Sequence, residues 1–351
     1  MLILWVISLF ATLTIFTAGT TAGLYNNLNK ISTENHPVSL MYTVPGSESG
    51  DKVNRLMKDA DTVYTDQIRY TEIEGDLSPT RRWPSDYPII LIPEADFHRL
   101  AGRMDKEHDL ELGINEAIVF YDGNINQATD PYTGKQIRLN SSEKVRIVKY
   151  QNYGLLNQSL GAFPMVIDDG LYAKIAEGKT AQMRIYKLNH EKSSGSLVQA
   201  VEKIVAQNPS SGQPPIFSSF YQEYQKGMQT YGILIFISSF LGLVSLLATG
   251  SMLHYKQLTE AADDRPRYEI LDKIGMGRPE VRKAIAKQLL PIFMLPLVIA
   301  IGHSSILITA LSRYLHINML LPFVCSVGLY IVIYSLYYFI TLTKYENVVT
   351  D

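Results

Sequence analysis

The sequence predicts a membrane protein: four transmembrane α-helices, with a large mixed α/β extracellular domain inserted between the first and the second. Three observations predict it. Charge is segregated: Lys30 is the first charged side chain, and residues 227–253, 288–302 and 317–343 hold no Asp, Glu, Lys or Arg. Four runs reach the roughly 20 mostly apolar residues that a helix needs to cross a hydrocarbon core. One loop, residues 254–287, carries eight cations, against Arg313 and His316 in the short loop between the last two runs. Whole-chain averages of 46% hydrophobic and 19% charged residues with a net charge of −2 conceal this division.

The first run, 2–24, is a span rather than a secretory signal. Small residues at 18–22 (AGTTA) offer a cleavage site, but no Lys or Arg precedes Leu2 and the run exceeds a signal core. Residues 25–227 form the extracellular domain. Within it, 38–44 (VSLMYTV) and 62–73 (TVYTDQIRYTEI) read as strands, with a helix-like stretch at 50–60. Residues 88–92 (PIILI) read as a buried strand, and Pro93, Glu94 and Asp96 suit the first helical turn after it. A second strand-to-helix unit is read at 163–176, around Val166, Ile167, Asp168 and Asp169. Strands at 117–121, 136–140, 145–150 and 181–188 complete the domain, separated by turns at 122–124 (DGN) and 130–134 (DPYTG). Residues 217–226 (FSSFYQEYQK) are expected to form a helical stalk continuous with the second span.

Spans at 231–253, 289–311 and 319–342 follow, flanking the loop 254–287 and leaving a tail at 346–351. The excess of cations places loop 254–287 in the cytoplasm, both termini with it, and the large domain outside. Gly242, Ser245, Ala248, Thr249, Gly250, Ser304 and Ser305 are small enough for close helix approach. Pro291 and Pro296 are candidate kinks, and His303 is expected to hydrogen-bond to Ser304 or Ser305 across helices. Without an intramembrane carboxylate, proton-driven transport is not expected. The single cysteine, Cys325, excludes an internal disulfide and is read as a packing residue.

Several patterns carry no chemistry. Residues 46–52 (GSESGDK) lack phosphate-loop spacing. Asp122, Asn124 and Asn126 start like a calcium loop, but Thr133 stands where the bidentate Glu belongs. His36, His98, His108 and His190 lack metal-ligand spacing, and no catalytic, cofactor or metal site is expected. Interspersed charges make nucleic acid an unexpected partner.

The loop 254–287 is the informative segment. Asp263, Asp264 and Pro266 suit a helix start. Tyr268, Leu271 and Ile274, with Ile270 alongside, make an apolar face, and Glu269, Asp272 and Lys273 take the wet side. Gly275 suits a left-handed cap, Met276-Gly277 a turn, and Pro279-Glu280 the start of a helix that Val281, Ile285 and Leu289 carry into the third span. A two-turn amphipathic helix here is suited to dock on a partner protein. Arg278, Arg282, Lys283 and Lys287 suit anionic membrane lipids.

Residues 267–288 (RYEILDKIGMGRPEVRKAIAKQ) resemble the cytoplasmic signature of FtsX-type permease domains: R-x-E, two apolar residues, two others, an apolar residue and Gly, then a basic helix. Residues 248–276 (ATGSMLHYKQLTEAADDRPRYEILDKIGM) are more similar still to Bce-type, bacitracin-resistance permeases of Gram-positive bacteria. The resemblance implies an FtsX and macrolide-exporter-like permease domain at 228–345 in a bacterial plasma membrane. It implies that the chain hydrolyses no ATP; ATP and Mg are expected on a cytoplasmic ABC ATPase dimer, and this chain carries no cofactor. Arg267, Tyr268, Glu269, Ile270, Leu271, Lys273, Ile274, Gly275 and Met276 would form the helix coupled to that ATPase. The family handles peptide antibiotics that act on lipid-linked cell-wall precursors, and signals to a sensor histidine kinase. Bce-type permeases carry a second four-span domain, so this chain is expected to match the carboxy-terminal half, or to need a second permease domain or chain. Two other readings are an FtsX-like mechanotransducer regulating an extracellular partner, and a membrane-anchored sensor. A neighbouring ATPase gene would argue against the sensor.

Overall fold

The computed structural model describes residues 2–45, 47–120, 130–139, 143–207 and 216–350. In chain order the elements are α1 (Leu2–Asn26), α2 (Leu28–Asn35), β1 (Leu40–Thr43), α3 (Ser47–Lys58), β2 (Thr62–Asp76), β3 (Tyr87–Pro93), α4 (Glu94–Arg103), β4 (Glu116–Phe120), β5 (Gln136–Leu139), β6 (Glu143–Gln151), β7 (Phe163–Ile167), α5 (Asp169–Ala176), β8 (Ala181–Leu188), α6 (Gly195–Gln207), β9 (Phe217–Ser219), α7 (Phe220–Lys273), α8 (Arg278–Tyr314) and α9 (Leu320–Thr350). The chain divides into two compact units, residues 28–227 and residues 1–27 with 228–351.

The first unit is a mixed nine-stranded sheet in the order β3-β7-β4-β6-β5-β2-β8-β1-β9, with β2 also pairing β3. That extra pairing closes β3, β7, β4, β6, β5 and the end of β2 into a ring. The 15-residue β2 makes this possible: residues 62–70 pair β8, and residues 71–76 turn to β3 and β5. Gly75 sits where β2 passes between those two strands. A Cβ there would lie 2.3 Å from Ile89 Cδ1 and 3.3 Å from the Arg138 carbonyl, so a side chain would have to displace Ile89.

Alternation assigns the two faces of the ring. Ile89, Leu91, Ala117, Val119, Met165 and Ile167 join one core with Tyr132, Ile137 and Ile147. Their neighbours Ile90, Ile92, Ile118, Phe120 and Val166 join another with Phe97, Leu100, Ile68 and Ile185. Burial on both sides is why 88–92 reads as an unbroken apolar run rather than an alternating one. A third cluster packs α3 and α6 on β1 and β8 through Val53, Met57, Val201, Val205, Leu40, Tyr42 and Leu188.

Helix starts obey local chemistry. The Asp168 carboxylate accepts the Gly170 and Leu171 N–H groups, both at 3.0 Å, capping α5. Asp96, expected only to suit a first helical turn, is buried in an ion network. It accepts Arg69 Nε at 3.0 Å and Arg99 Nη1 at 2.8 Å, while Asp66 Oδ1 accepts Arg99 Nε at 2.9 Å and its Oδ2, without a hydrogen bond, lies 3.2 Å from the Arg103 Nε charge. Buried carboxylates are tolerated when guanidinium charges stand against them in this way.

Among its described residues, the second unit contains four helices long and apolar enough to cross a membrane, α1, α7, α8 and α9. This is the predicted fold class: four apolar helices with a mixed α/β domain between the first and second. Ile7, Ala11 and Ile15 of α1 meet Leu246 and Leu253 of α7, Phe293, Leu297 and Ala300 of α8, and Tyr330 and Tyr334 of α9. Glycines permit close approach: a Cβ on Gly19 would lie 2.6 Å from Ile308 Cδ1, and one on Gly250 2.5 Å from the Tyr337 ring. Thr21 and Ser238 share a 3.0 Å hydroxyl bond between α1 and α7.

The structure corrects several expectations. The stalk does not begin at Phe217: residues 217–219 form β9, paired with β1, and the helix starts at Phe220. The strand read at 38–44 is confined to Leu40–Thr43. His303 does not bond Ser304 or Ser305. Ser304 donates to the Thr12 carbonyl at 3.1 Å, Ser305 to the Gly302 carbonyl at 2.8 Å, and His303 lies exposed on α8. Cys325 is exposed on α9 rather than packed. The tail at 346–351 is helical to Thr350, with Val349 buried. Gly46, residues 121–129 with Asp122, Asn124 and Asn126, and Asn140 lie outside the described residues.

Candidate functional site

The segment singled out in the sequence is the end of α7 and its turn into α8. No separate two-turn helix exists there. The helix runs unbroken from Phe220 to Lys273, through Pro266. Proline lacks an N–H, so the carbonyl of Ala262 loses its helical donor, and the ring crowds that carbonyl. Side chains brace the weak point: Arg267 Nη1 lies 2.9 Å from Asp264 Oδ1, and Arg265 Nε 3.3 Å from Glu269 Oε1. Acidic residues before a proline predicted a helix start, but tertiary packing overrides that local preference.

The packing runs along one stripe of α7. Leu253, Gln257, Ala261, Asp264, Tyr268 and Leu271 recur at the three- and four-residue spacing of a single helix face. The first three are buried, and Asp264, Tyr268 and Leu271 are half-buried. Ala261 joins Val281, Ile285 and Leu289 of α8 and Leu342, Tyr345 and Val349 of α9 in an apolar cluster, with Tyr268 and Met276 against it. This stripe was readable by extending the period back from Tyr268 through Asp264 to Ala261.

The sequence-predicted residues therefore divide. Tyr268 and Met276 turn inward, and Leu271 is half-buried. Ile270 and Ile274 point outward, 60% and 75% exposed. Arg267, Glu269, Lys273 and Gly275 are exposed around them. The expected single apolar face of Tyr268, Leu271 and Ile274 is thus split between packing and solvent.

The tip is closed by backbone chemistry. Gly275 has φ +95, and the Met276 N–H reaches back to the Leu271 carbonyl at 3.1 Å, the six-to-one bond of a Schellman ending. Gly277 is the extended N-cap of α8, and its N–H donates to Glu280 Oε2 at 3.3 Å. The first turns of α8 present Arg278, Lys283 and Lys287 outward. Arg282 instead pairs with Glu346 of α9 at 3.2 Å.

Asp264 organises the inward side. Its Oδ2 accepts the Tyr345 hydroxyl at 2.9 Å and Gln288 Nε2 at 3.4 Å. The Tyr268 hydroxyl donates to Gln288 Oε1 at 3.4 Å. Sequence reading assigned Asp264 only to a helix start; its partners are 24 and 81 residues away and left no local signal.

Chemically, the site offers an apolar tip of Ile270 and Ile274 rimmed by charge. Among the described residues, no group of three or more His, Cys, Asp or Glu is placed to hold a metal ion.

No family model matches the sequence. Among curated proteins, the chain is 26% identical over 206 residues to the uncharacterised ABC transporter permease YvcS of Bacillus subtilis, covering 57% of this chain and 31% of that one. It is 24% identical over 228 residues to the bacitracin export permease protein BceB of the same species, covering 61% and 34%. It is 25% identical over 300 residues to the ABC transporter permease protein YxdM, also of that species, covering 82% and 46%. The matched chain thus spans less than half the length of these relatives. Among solved structures, the extracellular domain of the ABC-type transporter YknZ aligns at 11% identity and a TM-score of 0.24, covering 52% of this chain and 100% of that one, a score that establishes no shared fold. The relatives of this chain are ABC transporter permeases, bacitracin-export proteins among them.

Proposed function

We propose that this chain is the permease subunit of a bacterial ABC transporter, driven by a separate cytoplasmic ATPase dimer that docks on the end of α7. The observation that carries this reading is the exposure of Ile270 and Ile274 at the tip, 60% and 75% open among the described residues. A large aliphatic side chain held in water by a capped helix end is a ready anchor for a partner's pocket. ATP and Mg belong to that partner, whose closure would press on the tip and displace the helices joined to it.

The excess of cations at 254–287 supports a cytoplasmic tip, cytoplasmic termini and an extracellular sheet unit in a plasma membrane. Similarity to bacitracin-export permeases supports peptide antibiotics acting on lipid-linked cell-wall precursors as the substrate class, with resistance and sensing as the role. The match to less than half the length of those relatives supports a second permease domain or chain, giving the ATPase dimer its second contact, and the resemblance of residues 248–276 to Bce-type permeases suggests a sensor histidine kinase as a signalling partner. Exposed Arg278, Lys283 and Lys287 suit anionic lipid headgroups beside the tip.

Ile274→Asp tests the docking. Co-purification with a co-expressed ABC ATPase is expected to fall about a hundredfold, the loss of one anchor worth about 3 kcal/mol. Membrane insertion is expected to be unchanged, because Ile274 lies outside the apolar spans and is 75% exposed. Undiminished co-purification would refute the docking.

A further inference from the structure

We propose that Asp264 is a positioning residue that clamps the tip of α7 to α8 and α9, so that displacement of the tip reaches all three helices together. The proposal rests on the reading of the tip as the point where force enters, and names the part that transmits it. Three bonds converge on one carboxylate only 18% exposed: Tyr345 of α9 at 2.9 Å, Gln288 of α8 at 3.4 Å, and Arg267 of α7 at 2.9 Å.

The position of these bonds relative to Pro266 is what matters. Asp264 lies before the proline; Arg267 and Tyr268 lie after it. Pro266 removes a backbone hydrogen bond at that point, so the tip is least restrained there by its own helix. The Asp264–Arg267 pair crosses the weak point directly, and Tyr268 crosses it through Gln288. Without them, a push on Ile270 and Ile274 would bend α7 at Pro266 and be absorbed locally. With them, the push moves a block of three helix ends over the apolar cluster of Ala261, Ile285, Leu289, Leu342 and Val349. Hydrogen bonds to a charged acceptor in a half-buried site are strong enough to hold such a joint.

The test measures tip rigidity in the intact chain in lipid nanodiscs. With Cys325→Ser as background, spin labels are placed at exposed positions by Lys273→Cys on the tip and Lys344→Cys on α9, and their distance distribution is recorded. Asp264→Ala and Tyr345→Phe are each expected to broaden the distribution about twofold, as the tip samples a second orientation. Asp264→Asn, which keeps the shape and an acceptor for Tyr345 but loses the charge and the acceptor facing Arg267, is expected to broaden it less than Asp264→Ala. Wild-type width in both Asp264→Ala and Tyr345→Phe would overturn the proposal. So would equal broadening in Asp264→Asn and Asp264→Ala, the mark of general loosening. Co-purification with the ATPase is read separately. A wild-type chain that captures no ATPase defeats the docking reading, while the label distances still judge the clamp.

Discussion

His36 is fully enclosed where α2 gives way to β1, only 7% exposed, and neither ring nitrogen has a hydrogen-bond partner. Burial pushes its imidazole below the ordinary value of 6.5, outweighing the Glu223 carboxylate, which pulls the other way. The sign of the consequence follows from linkage. The unfolded chain takes up a proton near pH 6.5 and the folded chain resists it, so stability is full above that pH and lost as pH falls towards the lower folded-state value. The denaturation midpoint of the purified chain is expected to fall between about pH 7.5 and pH 5.5, and to fall less in His36→Leu. Equal falls in both would show that His36 is not the group responsible. In the sequence His36 could be judged only for metal spacing; its enclosure depends on segments far along the chain and leaves no mark beside it.

At the scale of elements, the turn between α7 and α8 depends on Gly275. A side chain at φ +95 crowds the following carbonyl, so Gly275→Val is expected to cost about 1–2 kcal/mol. Amide exchange at Ile274 and Met276 is expected to accelerate roughly tenfold, the equivalent of about 1.4 kcal/mol, and unchanged exchange would refute the cap. Gly275 was legible because a cap is a local device, and so were β3, β8 and the strand-to-helix unit of β7 and α5. Three features were less so. The nine-stranded order and the β2–β3 closure pair residues distant in sequence. The three residues of β9 are too few for a period. The 54-residue α7 carries aspartates and a proline that locally favour a new helix, and only contact with α8 and α9 decides against it. By contrast, α6 was legible but missed: Val198, Val201 and Val205 mark its buried face at helical spacing.

At the scale of the whole molecule, charge segregation predicted the architecture because two solvents leave a composition signal that no folding detail can hide. The sequence singled out residues 267–276 as the candidate site, but not the division between inward Tyr268 and Met276 and outward Ile270 and Ile274. That division underlies the central claim, that the outward isoleucines at the end of α7 meet a partner in the cytoplasm. The most direct test places a single cysteine at Ile274 in a Cys325→Ser background and treats intact cells with a membrane-impermeant maleimide. The account predicts no labelling in intact cells, labelling once the membrane is opened, and protection when the ATPase is co-expressed. Labelling in intact cells would place the tip on the wrong side of the membrane and contradict the account.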